Sequence, residues 1–272
     1  MPRLLHLSDL HFGRTRPELL KPLLDHVAAL QPDAIALSGD LTQRAREWQF
    51  EEAQALLSSI DCPVLCVPGN HDIPLDRPLS RFLRPFAMYR SEISRDLEPM
   101  LDLPGLRMIG INTADPKAWE RGRVRRGSLA RATERLRTAP DGVLRVVVMH
   151  HPLVHPPGSK KEPMPNGREA ARALDEAGAD LVLSGHLHTW GAAADILREG
   201  GRTMLLVAAG TGLSTRLRGE ENDFNLIETL DGTGARGIRV TRYFATLDGL
   251  GFAAGTSADF VEGETGWRPA PR

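Results

Sequence analysis

The chain has 272 residues, 41% hydrophobic and 25% charged, ordinary proportions for a globular protein with a sizeable core. A formal net charge of -1 excludes a global pull toward nucleic acid or an anionic membrane and leaves local basic patches as the only route to either. No apolar run approaches the roughly 20 residues of a membrane span, and no apolar leader follows Met1-Pro2-Arg3, so a cytoplasmic protein is expected. The two cysteines, Cys62 and Cys66, fit neither a disulfide framework nor a zinc ribbon and read as small buried apolar groups.

Strand-length apolar runs alternate with amphipathic segments, the order of a layered α/β domain. A strand is expected over 4–7, then a helix over 17–30 whose Leu19, Leu20, Leu23, Leu24 and Val27 recur at helical spacing. A strand over 34–37, a helix over 47–60 with Phe50, Ala53, Leu56 and Leu57 inward, and a strand over 63–67 follow. The helix expected over 77–88 carries Leu79, Phe82, Leu83, Phe86 and Met88; core packing is expected of it, and it is the only candidate for an apolar patch facing a lipid. Strands are expected over 106–111, 143–149 and 181–183, with helices near 128–137 and 168–177 between them. After His188 the runs 203–208, 224–229 and 237–244 read as strands without helices, implying a second, more antiparallel sheet. Residues 249–272 lack periodicity and are expected to form a loosely ordered tail to a domain of residues 1–248. The stretch PLVHPPGSKKEPMPNG, 152–167, is a long loop of the kind that is functional or disordered.

Chemistry gathers where strands end. The first finishes in Ser8-Asp9-Leu10-His11, where alternation puts Asp9 and His11 on one side of an extended chain. The next finish in Ser38-Gly39-Asp40 and in Pro68-Gly69-Asn70-His71-Asp72, and the later ones in His150-His151-Pro152 and Ser184-Gly185-His186-Leu187-His188. Open α/β sheets place their ligands at the carboxyl ends of their strands, and six of the nine histidines fall in these motifs. Oxygen and imidazole donors without thiolates suit Mn²⁺, Fe, Zn²⁺ or Co²⁺. The donors exceed what one ion needs, and two ions sharing a carboxylate would use them.

In this order, SDLH, SGD, GNHD, HHP and GHLH resemble the calcineurin-like metallophosphoesterase superfamily over about residues 4 to 190, and most resemble its bacterial cyclic-nucleotide phosphodiesterase and glycerophosphodiesterase branch. The resemblance implies a four-layer α-β-β-α sandwich, two mixed sheets packed face to face with helices outside and the active site at the carboxyl ends of the strands. It implies two divalent or mixed-valence ions: Asp9, His11 and His188 on the first, Asn70, His150 and His186 on the second, and Asp40 bridging. His71 is assigned to the phosphoryl or leaving-group oxygen, Asp72 to orienting His71, and His151 to a supporting or substrate contact. Gly39, Gly69 and Gly185 precede ligands, where a Cβ would obstruct the turn. The absence of a tyrosine from the motifs, with Tyr89 and Tyr243 elsewhere, separates the chain from the purple acid phosphatase branch.

The implied activity is hydrolysis of a small phosphodiester, a cyclic nucleotide or glycerophosphodiester, by a metal-activated hydroxide. Nuclease action and hydrolysis of nucleotide-sugar or lipid pyrophosphates are the alternatives on the same metal shell; nucleic acid is not favoured by the charge, and a non-enzymatic scaffold is disfavoured because all seven ligand positions are filled. Arg14 and Arg16, the cluster Arg121, Arg123, Arg125 and Arg126, and Arg216 are candidates for substrate phosphate or solvent. His6, His26 and His155 read as structural or surface residues, and a homodimer is left open.

Overall fold

The protein is described here from a computed structural model that covers residues 2–156, 159, 161–195, 203–230, 236–246, 248 and 251–271. The chain runs through β1 (Arg3–Leu7), α1 (Leu20–Leu30), β2 (Ala34–Leu37), α2 (Glu47–Ser58), β3 (Val64–Cys66), α3 (Pro78–Leu83) and α4 (Ala87–Glu92). It continues through β4 (Met100–Leu103), β5 (Leu106–Ile111), α5 (Arg126–Arg137), β6 (Leu144–Met149), α6 (Gly167–Glu176) and β7 (Leu181–Ser184). The remaining elements are all strands: β8 (Gly191–Asp195), β9 (Met204–Ala208), β10 (Asp223–Leu230), β11 (Gly237–Ala245), β12 (Phe252–Gly263) and β13 (Gly266–Pro269).

Strands buried at every position need cover on both faces, as β2, β5 and β7 do. Two sheets supply that cover: seven strands in the order β13-β12-β11-β10-β1-β2-β3, and six in the order β4-β5-β6-β7-β9-β8. Alternation divides each strand between two layers. Leu4, Ala36 and Leu65 of the first sheet meet Met108, Val146, Leu183 and Val207 of the second in the central layer. Leu5, Leu7 and Leu37 point the other way, onto Leu23 and Val27 of α1 and Phe50 and Leu56 of α2. Ile109, Val147 and Val182 likewise face α5 and α6 through Leu136, Ala170 and Leu174. The fold is therefore a four-layer sandwich of two mixed sheets between helices. β1, β2 and β3 run parallel, as do β5, β6, β7 and β9, so the ends that carry the motifs share one edge.

Three expectations are corrected. The late strands do not make a separate antiparallel sheet: β10 pairs antiparallel with β1, with Leu4 opposite Ile227, and brings β11 to β13 into the first sheet, while β9 lies parallel to β7 in the second. The segment 249–272, expected as a loose tail, holds β12 and β13, and β12 pairs with β11 across the expected boundary at 248. Phe252, Phe260 and Trp267 anchor it in the core, while the small residues between them, 254–257, are exposed. The region 77–88 is core only in part: Phe86 is buried and Met88 packs against the same cluster, but Leu79, Phe82 and Leu83 are 76%, 61% and 75% exposed. The guanidinium of Arg81 takes the inward position instead, and Pro85 separates α3 from α4.

His6 lies in the core of the first sheet, its Nε2 2.9 Å from Ser38 Oγ and its Nδ1 3.3 Å from Asn225 Nδ2. Burial pushes its pKa down to about 3, against an opposing pull from Asp9. An unfolded histidine binds a proton from about pH 6.5 downward, so the stability His6 contributes is complete above that pH and is lost as pH falls through the window toward 3. Chemical denaturation of wild type and His6→Gln at about pH 7.5 and about pH 4.5 is expected to show the gap between them narrowing by about 2–3 kcal/mol at the lower pH. An unchanged gap would rule out a neutral buried His6.

Candidate metal centre

The carboxyl ends of β1, β2, β3, β6 and β7 bring Asp9, His11, Asp40, Asn70, His150, His186 and His188 into one buried cluster. It has two halves. Asp9 Oδ1 lies 3.1 Å from His188 Nε2 and 3.5 Å from His11 Nε2. On the other side Asn70 Oδ1 lies 3.2 Å from His150 Nε2 and 3.1 Å from His186 Nδ1. Asp40 Oδ2 stands between them, 3.8 Å from His11 Nε2 and 3.3 Å from His150 Nε2.

Each carboxylate is held by one oxygen and offers the other. Asp9 Oδ2 accepts from Ser8 Oγ (2.6 Å) and from the His186 N–H (2.9 Å), while its Oδ1 is buried without a hydrogen-bond donor. Asp40 Oδ1 accepts from the His71 N–H (2.8 Å), leaving Oδ2 toward the cluster. The imidazoles are oriented in the same way. His150 Nδ1 donates to the Ser38 carbonyl (2.8 Å) and His188 Nδ1 to the Arg216 carbonyl (2.9 Å), so both turn Nε2 toward the cluster. A buried carboxylate oxygen without a hydrogen-bond donor, Asp9 Oδ1, among imidazole nitrogens suits a cation, and these donor atoms could hold ions in the groups Asp9-His11-His188 and Asp9-Asp40-His150.

Backbone conformation bears the same mark. Asp9, His11, Asp40, His186 and His188 all have φ between 52° and 71°, the left-handed region, and they are five of the seven such non-glycine residues among those described. Each costs about 1 kcal/mol or more relative to an unstrained backbone. Gly69 and Gly185 relieve the crowding beside them, since a Cβ at the first would fall on the Asp40 carboxylate and at the second on Ser8 Oγ and the Asp9 carboxylate.

Electrostatics follow from burial and proximity. Asp9 and Asp40 are held well below the usual carboxylate range: burial opposes their charge, and the surrounding histidines, His188 and His150 foremost, outweigh it. His150 is pushed up to about 9, burial being overcome by Asp40. His71 is pushed down to about 4, chiefly by burial.

His71 sits at the edge of the cluster with its ring 4.9 Å from that of His11. Asp72 does not orient it. The His71 Nδ1–H donates to the Gln43 carbonyl (2.9 Å), and its Nε2 accepts from Arg216 Nη1 (2.9 Å). The Asp72 carboxylate instead accepts from the N–H groups of Gly69 (2.9 Å), Leu41 (3.2 Å) and Thr42 (2.8 Å), clamping the loops after β2 and β3 together. A carboxylate that follows a strand end satisfies nearby backbone donors before it reaches a side chain.

His151 is a support: Thr113 Oγ1 lies 2.8 Å from its Nδ1, and its Nε2 donates to the Glu120 carbonyl (2.9 Å). Gln43, Thr113 and Lys161, whose Nζ donates to the His186 carbonyl (2.8 Å), were not legible as site residues. Two of them act on or through backbone carbonyls, which leave no trace in residue type. Of the arginines, Arg14 and Arg216 line a cavity of about 610 Å³ beside Asn70 and His71. Arg16 pairs with Glu18, and Arg125 donates to the carbonyls of Asn112 and Ala114. Tyr89 packs against Phe50 and Tyr243 stacks on Phe224.

This arrangement, two oxygen-and-imidazole half-sites about a shared aspartate at the carboxyl edge of a two-sheet sandwich, is that of the calcineurin-like phosphoesterase family, to which the chain belongs by a match over residues 2–190. It is 29% identical over 203 residues to a cAMP/cGMP dual specificity phosphodiesterase of Mycobacterium tuberculosis, covering 68% of this chain and 61% of that protein. A glycerophosphodiester phosphodiesterase of Enterobacter lignolyticus is 27% identical over 204 residues, 68% of this chain and 70% of that one. The chain spans about three fifths of the length of the first of these relatives. In fold it is similar to a purple acid phosphatase from yellow lupin seeds, with a TM-score of 0.72 and 14% identity over 95% of this chain and 53% of that one.

The left-handed backbone at Asp9 gives a test independent of activity. Asp9→Gly and Asp9→Ala are both expected to reduce bound metal, but without metal the glycine variant should be more stable by about 1 kcal/mol in urea denaturation. Equal stability would mean that the strain at Asp9 is absent.

Proposed function

We propose that the chain is a binuclear metal-dependent phosphodiesterase acting on a small phosphodiester, a cyclic nucleotide or glycerophosphodiester. The observation that carries this reading is the pairing of two half-sites, each with three donor side chains, about Asp40. Asp9, His11 and His188 would hold one ion, Asn70, His150 and His186 the other, and Asp40 both. Two ions in such a site supply Lewis acidity and activate the attacking nucleophile. The names of the two relatives support a diester, and a cavity of about 610 Å³ is in the range for a small molecule.

The chain's own residues supply positioning and a proton. Arg216 and His71 converge on one point at the cavity wall, Nη1 2.9 Å from Nε2, and a phosphoryl or leaving-group oxygen entering there meets both. The Gln43 carbonyl fixes Nδ1 as the protonated nitrogen of the neutral ring, so any further proton goes to Nε2, in exchange for the bond from Arg216. Such a proton would pass to the departing oxygen.

The experiment uses two substrates. His71→Ala is expected to retain both ions in metal analysis, to lose about 10²–10⁴-fold in kcat on an alkyl diester, and to lose much less on bis-p-nitrophenyl phosphate, whose leaving group needs no proton. Equal losses on both would remove the proton-donor role. Asp40→Asn is expected to lose metal and hydrolysis of both diesters together, and full activity in that variant would sink the binuclear reading.

A further inference from the structure

Resting on the phosphodiesterase reading, we propose that Trp119 is a stacking platform for the base of a nucleotide substrate, and hence a specificity-determining residue of this site. Trp119 is 70% exposed, where a large aromatic ring ordinarily seeks cover. It lines the cavity that holds Asn70, His71 and Arg216, and also a second cavity of about 540 Å³ lined by His186, so it is shared by two cavities that each reach a residue of the second half-site.

The ring is exposed on a supported loop. Arg81, itself 5% exposed, donates from Nε to the Pro116 carbonyl (2.9 Å) and from Nη2 to the Ala118 carbonyl (2.6 Å), and from Nη1 to that of Pro74 (3.3 Å). Its guanidinium carbon lies 5.8 Å from the centroid of the Trp119 ring. A buried cation thus backs the indole and anchors the residues before it, which lowers the ordering cost of stacking a second planar group on the ring.

The rest of the cavity names the ligand's other half. Arg14, Arg44 and Arg216 line it, the last held by His71 Nε2, and the carboxylate that shares the lining, Glu120, pairs with Lys161. Ile73 and Leu75 add apolar wall to the same cavity. Donors for phosphate and an open aromatic face lining one cavity fit a phosphate joined to a planar heterocycle, which is a nucleotide. A glycerophosphodiester would satisfy the arginines and leave the ring bare.

The test is binding to the Mn²⁺-loaded protein, measured by calorimetry with adenosine 5′-monophosphate and ribose 5-phosphate, which share the phosphate and sugar and differ in the base. Wild type is expected to bind the nucleotide about 10-fold or more tightly than the sugar phosphate. Trp119→Ala should bring the two within about 2-fold by weakening the nucleotide alone, and Trp119→Phe should keep most of the preference. In kinetics, Trp119→Ala should raise KM for a cyclic nucleotide by a larger factor than KM for a glycerophosphodiester. Equal binding of the two ligands by wild type, or a preference that survives in Trp119→Ala, would overturn the proposal. Failure of the loaded wild type to hydrolyse any diester would instead overturn the phosphodiesterase reading, while the binding comparison still decides the role of Trp119.

Discussion

Two sheets joined by an apolar layer can slide over one another at little cost, because dispersion and hydrophobic burial are not directional. Here the offset at the functional edge is fixed by directional bonds between the sheets, the Asp9 carboxylate foremost and the His150 Nδ1–Ser38 carbonyl bond beside it. Asp9, at the end of β1 in the first sheet, accepts the backbone N–H of His186, at the end of β7 in the second. Within each sheet the same edge is tied by backbone bonds, Gly185 N–H to the His150 carbonyl in the second and Asp9 N–H to the Gly39 carbonyl in the first. With these in place, the second oxygen of Asp9 and that of Asp40 have their positions set before any ligand arrives. A hydrogen bond to a charged acceptor contributes about 1.5–3 kcal/mol, and this one also aligns the two half-sites.

That alignment is bought with local strain and concentrated charge. Five donor residues lie in the left-handed region, and two carboxylates sit without solvent among four imidazoles. Polar residues held this way survive where the surrounding structure over-determines them. The surrounding structure here is the backbone itself: carbonyls of Ser38, Gln43 and Arg216 fix three imidazoles, and the N–H groups of Gly69, Leu41 and Thr42 fix Asp72.

The same fact sets what was legible in the sequence. The strand ends could be read because strand-length apolar runs stop at polar residues, and the seven donors the motifs named do meet in one cluster. The partner of His71 could not be read, because a carbonyl at Gln43 carries no residue signature, and the nearer carboxylate in sequence, Asp72, was the wrong choice. Pairing between β1 and β10 joins residues more than 200 positions apart, and local periodicity holds no information about it. β12 was hidden by its position near the sheet edge, where small residues such as Ala253, Ala254 and Gly255 need not alternate with large ones. In α3 the apolar pattern was real but its burial was not, since Arg81 turned inward to the carbonyls of the Trp119 loop.

The placement of β10 beside β1 has a consequence for the order in which the protein takes shape during synthesis. β1, β2 and β3 leave the ribosome early and pair in parallel, but the other edge of β1 stays open until residues 223–230 have been made. At about 5–20 residues per second, that interval is on the order of 10 to 40 seconds. Throughout it, a nascent chain carrying Asp9, His11 and Asp40 exposes unpaired strand edge, and the side chains of the first half-site wait for His188 on a later element. A chaperone that covers extended apolar backbone, or early metal capture by the incomplete donor set, would act in that interval and not on the finished fold.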